Sequence, residues 1–551
     1  MAIVRIRKPK IKNEAVKKKN YQNTKQLFFY FLIMFLTLNS CKNPIEIDDS
    51  KVFRFNRYDG ISSLDPAFAK TQSNIWITNQ LFNGLVQLDS QMNIKPSVSK
   101  KWIISKDGKT YDFILRKDVF FHQNTVFGKQ KTRNVTAYDF VYSFNRLLDK
   151  QTVSPGGWVL AHVENFKALN DTVFQIKLNE AFPPFLGLLS MQYCAVVPKE
   201  AVEFYGSDFR SNPVGTGPFQ FKIWEENVKL VLRKNPLYFE KDSEGKSLPY
   251  LEAVSVTFLP DKYSEFLQLI QGNIDFMSGL DPSYKDELVS VTGELNTEYQ
   301  EKLVLKKQSY LNTEYLCFYL GDDKKLDIRL RQAINYGFDR TKVIQYLRNN
   351  IGTPATGGMI PDGLPSYFKK GYDYQPEKAK KLIDLYKKEK GSLPEIQLTT
   401  TSDYLNICEY LQAELNKLGL EIQINVTPGA TLRDGKANGK FSFFRVSWIA
   451  DYPDGENYLS LFYSKNQAPN GPNYSHFKNT QFDQWYEKAL QETSYDQRRT
   501  LYQKMDSLML SKAPVVPLYY DEVTLFVNKK IQNFKSNPIN LLDLKNVWKE
   551  K

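Results

Sequence analysis

Histidine is almost missing from this sequence: there are 3 in 551 residues, His122, His162 and His476, far apart along the chain. A catalytic or metal centre built on imidazole therefore has little to work with. Cysteine is nearly as rare, with 4 residues, Cys41, Cys194, Cys317 and Cys408. None sits in a C-x-x-C pair, so neither zinc binding nor dithiol redox chemistry is suggested. The chain also lacks G-x-S-x-G, H-E-x-x-H and any cysteine–histidine pair at a recognised spacing. No catalytic residue, metal ligand or cofactor is assigned, and an enzyme is not expected. No stripe of Lys and Arg interleaved with aromatics appears, which argues against nucleic acid as a partner. Finally, the longest apolar run is too short to cross a bilayer. It covers Leu27–Leu38, whereas a spanning helix needs about 20 residues.

That short run is preceded by a strongly basic segment, which includes Lys17-Lys18-Lys19. A basic start, a brief apolar core and small or polar residues after it describe a secretory signal peptide over 1–40. The run closes on Leu38-Asn39-Ser40-Cys41, which resembles the lipobox of bacterial lipoproteins. The resemblance implies an acylated Cys41 as the mature N-terminus, with 41–50 as a tether. A cleaved signal beside an incidental cysteine is the plainer alternative. The net charge of +13 is concentrated in this leader, leaving a mild balance of about +5 afterwards. With Cys41 lipidated, the three remaining thiols allow at most one disulfide. The remaining length calls for two or three subdomains. The 33 Tyr and 37 Phe serve core packing, and tyrosines also suit the lining of a cleft.

Two segments read as strand–helix–strand units. Ala253–Phe258 alternates as a strand, Ser264–Gln271 follows as a helix ended by Gly272, and Ile274–Phe276 is a second short strand. In the other unit, Glu395–Thr399 is a strand and Ser402 caps a helix. Its apolar stripe is Tyr404, Cys408, Leu411, Leu415 and Leu418, one face of a 3.6-residue period. Gly419 stops that helix, and Leu420, Ile422, Ile424 and Val426 alternate as a half-buried strand. The fold class is α/β in two lobes. Lys109–Leu115 and Asp171–Leu178 instead read as antiparallel meander strands, a third and more β-rich subdomain.

Six ordered blocks then carry a resemblance through nearly the whole chain: Leu81–His122, Asn134–Asp149, Asn212–Phe239, Asp327–Arg340, Trp448–Phe462 and Ala513–Tyr520. Together they resemble the family-5 extracellular solute-binding proteins, the peptide-binding components of ABC importers. The resemblance implies a two-lobed periplasmic-binding-protein fold of the class II type, with an extra β-rich subdomain inserted in lobe one. The expected boundaries are 51–82, 206–301 and 521–551 for lobe one, 83–205 for the insert, and 302–520 for lobe two. Within these blocks, Gly215 and Gly217 flank Thr216 in a tight crossover without room for side chains. Ala333, Ile334, Gly337 and Phe338 share one face of a packing helix.

A cleft that accepts any short peptide must offer an anion for the ammonium, a cation for the carboxylate and a strand edge for the backbone, because desolvated charges need partners. By resemblance, Asp451 of Trp448-Ile449-Ala450-Asp451 takes the α-amino group, and Arg445 faces the carboxylate side. Ser447 and Ile449 offer the main-chain edge, Trp448 is a candidate contact, and a second edge falls near Lys70 and Thr71. Each has a plainer reading: Asp451 as a turn residue, Arg445 as half of an internal ion pair, Trp448 as core. The implied partners are short peptides, ABC permease subunits and a bacterial membrane reached through Cys41, with the protein a monomer. The same fold also carries nickel chelates, opines, haem or oligosaccharides, or serves as a ligand sensor, and these stand as the alternatives.

Overall fold

The computed structural model describes residues 48–281, 283–321 and 326–551; Cys41 and the leader lie outside them. Strand β1 (Val52–Asn56) opens the chain with Phe53 and Phe55 fully buried. After helix α1 (Gln72–Leu81) the chain leaves for β2 (Ser99–Ile104) and β3 (Thr110–Leu115), then helix α2 (Ala137–Leu148), β4 (Val163–Asn170) and β5 (Val173–Leu178). These four strands form an antiparallel sheet of their own, in the order β2-β3-β5-β4. The chain returns through β6 (Phe219–Glu225), β7 (Lys229–Lys234), β8 (Ala253–Thr257), helix α3 (Lys262–Ile270) and β9 (Phe276–Ser278). A long strand, β10 (Leu303–Phe318), leads to helix α4 (Ile328–Tyr336), β11 (Gln397–Thr400), helix α5 (Leu405–Lys417) and β12 (Gln423–Val426). Helix α6 (Gly429–Ala437), β13 (Phe443–Ile449), a second long strand β14 (Val515–Asn528), and the short pair β15 (Ile531–Gln532) and β16 (Trp548–Lys549) complete it.

The main sheet has 11 strands, ten of them in the order β12-β11-β13-β10-β14-β9-β1-β8-β7-β6. The two α/β halves are thus one hydrogen-bonded surface. Its left and right parts meet on β10 and β14, which pair antiparallel from Leu303↔Asn528 to Ser309↔Glu522 and again from Thr313↔Tyr520 to Cys317↔Val515. The register breaks between Ser309 and Thr313. Two neighbouring strands therefore run through both halves of the sheet, and a second register shift follows between Glu314 and Tyr315.

Local chemistry explains where the elements differ from expectation. Helix α3 begins two residues earlier because the Asp261 side chain accepts from the Ser264 N–H (2.7 Å) and caps it. Its strand partner starts at Phe276 rather than Ile274, since Ile274 turns into the core beneath α3. Ser402 does not cap α5: residues Ser402–Tyr404 make a 3-10 turn first. Cys408, Leu411 and Leu415 form the buried stripe, and Gly419 takes the left-handed conformation (φ 77°). Strand β12 pairs only with β11, so Val426 at its end is 47% exposed and the alternation fails there.

Lobe two buries one apolar cluster on each sheet face. The inserted sheet has no separate core: Phe113 and Phe174 belong to the same buried cluster as Phe53 and Phe55. Ala333, Ile334 and Phe338 are buried, and a Cβ on Gly337 would strike Leu415. Cys194, Cys317 and Cys408 are buried free thiols with no disulfide among them.

The glycine crossover at 215–217 is held by His122. The Gly215 N–H donates to His122 Nδ1 (3.1 Å), and Nε2 meets the Gly217 carbonyl at 3.1 Å. An accepting Nδ1 fixes the proton on Nε2, and burial pushes the imidazole pKa down to about 4, keeping it neutral. A Cβ on either glycine would run into the main chain of Gln80 and Leu81 at the end of α1. We expect Gly217→Ala to lose roughly 1–3 kcal/mol or more, the cost of overpacking against backbone, read as a lower urea midpoint at unchanged slope.

Candidate functional site

Strand β13 places most of the candidate residues. Phe444, Val446 and Trp448 face one lobe-two core cluster, and Phe443, Arg445, Ser447 and Ile449 alternate with them on the other face, where Phe443 is buried in the second cluster. On one side β13 pairs with β10 along its whole length, from Asn312↔Ile449 to Phe318↔Phe443. On the other side β11 pairs only with Phe443 and Phe444. From Arg445 to Ile449 that edge therefore has no strand beside it among the described residues. Ile449 is 44% exposed there.

Asp451 lies two residues beyond the end of the strand. Its N–H donates to Asn457 Oδ1 (3.2 Å), and the same oxygen accepts from Trp448 Nε1 (2.8 Å). Buried Asn457 thereby fixes the Trp448–Asp451 segment against the turn Glu456–Leu459. Trp448 packs on the lobe-two core and is held by this bond. The Asp451 carboxylate has no cation partner among the described residues. Burial raises its pKa to about 6, only partly offset by the Asn457 amide. Its charge reaches Tyr458 and Tyr193, the latter contributed by the inserted subdomain. Tyr452 lies against Gly187 of that subdomain, where an added Cβ would sit 3.1 Å from Tyr452 Cβ. A half-buried anion thus waits at the end of an unpaired strand edge, walled by tyrosines.

Arg445 is half of an internal ion pair. Its Nη2 donates to Glu314 Oε2 (2.5 Å), and its guanidinium stacks on Tyr404 at 3.5 Å from the ring centroid. Glu314 is buried on β10 and also accepts from Asn312 Nδ2 (3.1 Å). Asn312 continues to Asp521 (3.5 Å), which pairs with Arg348 (2.5 Å). Two ion pairs, Arg445–Glu314 and Asp521–Arg348, are thus bridged across β10 and β14 by the Asn312 amide, which donates to both carboxylates. The buried Nε–H of Arg445 has no hydrogen-bond partner among the described residues.

An uncompensated cation nearby is Lys436 on α6. Its Nζ lies 4.5 Å from the Tyr474 ring centroid and has no carboxylate partner among the described residues. Burial first, then the Arg445 charge, pulls its pKa down to about 8. Sequence reasoning did not select Lys436, Glu314 or Asn457, because no local motif marks them; each acquires its role from a contact made by the fold.

Lys70 and Thr71 do not form a strand edge. Thr71 caps α1, its Oγ1 accepting from the Asn74 N–H (3.3 Å), and Lys70 is exposed in the preceding loop. The adjacent Gln72 Nε2 donates to Tyr310 Oη (3.4 Å), which brings this loop to the register break in β10. Cys41 lies outside the described residues. Among those residues no group of three or more His, Cys, Asp or Glu is arranged to hold a metal ion.

Comparison with known proteins bears on this arrangement. The family model of bacterial extracellular solute-binding proteins, family 5 (Middle), matches residues 93–470. The periplasmic oligopeptide-binding protein OppA of Salmonella typhimurium is 27% identical over 541 residues, covering 92% of this chain and 93% of its own length. The dipeptide-binding protein DppE of Bacillus subtilis is 25% identical, covering 91% and 92%. Among solved structures, the periplasmic binding protein DppA of Helicobacter pylori in complex with the peptide STSA superposes with a TM-score of 0.77. Its identity is 27%, and the match covers 91% of this chain and 98% of that one. The family model covers well over half of the chain, which therefore belongs to the bacterial extracellular solute-binding proteins of family 5.

Proposed function

We propose that this protein captures short peptides between its lobes and delivers them to the permease of an ABC importer, acting as a monomer held at the cell envelope through an acylated Cys41. The observation that carries the reading is the unpaired Asp451 carboxylate beside the unpaired edge Arg445–Ile449. A peptide ammonium supplies the missing charge partner, and a charge-assisted bond in an enclosed site contributes about 1.5–3 kcal/mol. The ligand backbone then adds as a strand to β13, while side chains fall into spaces that the edge does not specify. The peptide-binding names of the relatives support the same cargo.

The carboxylate end is assigned to Lys436 together with the free Nε of Arg445, since Glu314 already balances the charge of Arg445. Lys436→Met is expected to weaken free-acid peptides by roughly tenfold, about 1.4 kcal/mol, and to leave C-terminally amidated peptides nearly unchanged. Calorimetry with matched acid and amide peptides reads the difference.

The test of the function is native mass spectrometry on the purified protein, followed by calorimetric titration of defined di- to pentapeptides and their N-acetylated forms. A co-purifying ladder of peptide masses, with binding abolished by N-acetylation, is the expected result. A protein that ignores every peptide but takes up a sugar, an opine or a nickel chelate would overturn the cargo and keep the fold.

A further inference from the structure

Tyr452 is buried apart from its neighbours in sequence. Ala450 and Tyr458 lie in the apolar cluster that holds Phe444 and Val446, whereas Tyr452, 4% exposed, lies in the cluster of Phe53, Phe113 and Phe174. Its hydroxyl stays with lobe two. It donates to Glu456 Oε2, while Tyr486 of helix α7 (Thr480–Gln491) donates to Glu456 Oε1. Glu456 and Tyr486 are themselves buried, and a buried carboxylate needs such donors. The ring therefore hangs from one lobe by its polar end and fills an apolar socket in the other.

The floor of that socket is Gly187. The three heavy atoms nearest to a Cβ built there all belong to Tyr452, the first being its own Cβ at 3.1 Å. Gly187 lies in the short helix Phe185–Leu188, outside the left-handed region, so the backbone does not call for glycine at this position. The close approach of Tyr452 does. Helix α7 adds two more contacts between the same parts of the molecule. Leu490 packs against both apolar clusters, and Gln491 Nε2 donates to Glu180 Oε2 (2.9 Å) at the surface. Unlike the pairing of β10 with β14, these are side-chain contacts, which separate without breaking a strand ladder.

Tyr452 directly follows Asp451, whose charge also reaches Tyr193 of the insert. We infer that Tyr452 is a positioning residue: it is the plug through which lobe two closes onto the insert at the amine end of the cleft, with Gly187 as its socket and the Glu180–Gln491 bond on the rim. Seating the plug removes water from around Asp451 and strengthens its bond to an ammonium. By reciprocity, an ammonium on Asp451 favours the seated plug by the same factor. The inference rests on the reading of Asp451 as the amine site and adds what closes that site.

The test uses Glu180→Cys with Gln491→Cys in the full chain, treated with a short bifunctional maleimide, and counts the link between the two introduced thiols by mass mapping. Cys194, Cys317 and Cys408 are buried and do not compete. Saturating trialanine is expected to speed linking at least roughly fivefold, the lower end of ordinary coupling between sites. Gly187→Val in the same background is expected to slow linking roughly tenfold, with or without peptide, the effect of overpacking the socket by about 1.4 kcal/mol. Peptide affinity should fall by a similar factor through faster release, while the denaturant midpoint of the ligand-free protein holds. Linking that is equally fast with and without bound peptide overturns the inference, because the contact is then permanent. So does linking indifferent to Gly187→Val, whether or not the midpoint falls. Should Gly187→Val not fold, Tyr452→Ala, which empties the socket instead of overfilling it, is held to the same outcomes. Calorimetry reads the cargo separately: a protein that takes up no peptide overturns the peptide reading, while the effect of Gly187→Val on linking without ligand still decides the plug.

Discussion

Asp451→Asn is expected to reduce the affinity for peptides with a free amino terminus by 2–5 kcal/mol, roughly thirtyfold at the least. Asparagine preserves the size and the contact with Asn457 and removes only the charge. The variant should also be as stable as the parent at pH 7, or more so. The half-buried carboxylate meets no cation among the described residues, and its pKa stands near 6 instead of 3.8, a penalty on the order of 3 kcal/mol on the ionised form. A residue that held the fold together would show the opposite, a loss of stability. The pH dependence follows with a definite sign. Because the folded pKa is raised, the empty protein gains stability from this group as pH falls through about 6, while ammonium binding needs the ionised form. Affinity should therefore drop close to tenfold between pH 7 and pH 5, and binding at pH 5 should release a proton, seen as a buffer-dependent calorimetric heat. A flat affinity profile across this range, or an unaffected asparagine variant, would remove Asp451 from the amine site.

The sequence made some of this legible because local rules suffice for it. Alternation in Ala253–Phe258, the stripe Cys408–Leu411–Leu415 and the terminating Gly272 and Gly419 are decided by residues within a few positions of one another. The crowded Gly215–Gly217 crossover was readable for the same reason. Register across distant strands was not. Nothing near Glu314 says that its partner lies 131 residues onward at Arg445, and nothing in Lys436 says that Tyr474 will flank it. Only the pairing of the two long strands with each other makes the two α/β units one sheet, with a register shift between Ser309 and Thr313. Lys70 and Thr71 failed as a strand edge because a threonine ahead of Gln72-Ser73-Asn74 is better used as a helix cap.

The second large effect concerns Arg445 and Glu314. Arg445→Met leaves the Glu314 carboxylate, 2% exposed, without its cation in the middle of the sheet, and orphaning a buried charge costs about 3–5 kcal/mol. The expected reading is a marked fall in the denaturant midpoint at unchanged slope. Glu314→Gln should also destabilise, leaving a buried guanidinium whose Nε is already without a partner. The double variant Arg445→Met with Glu314→Gln should recover much of the loss, since a buried pair replaced by neutral groups of similar volume is often close to neutral in stability. Ligand binding separates the pair from Asp451. If the charge of Arg445 is spent on Glu314, the double variant binds amidated peptides nearly as well as the parent, whereas Asp451→Asn binds neither amide nor acid well. Equal losses for amide and acid peptides in the folded double variant would instead make the ion pair part of the surface that the peptide backbone reads, and would shift the binding strand's essential contact from its end at Asp451 to its middle at Arg445.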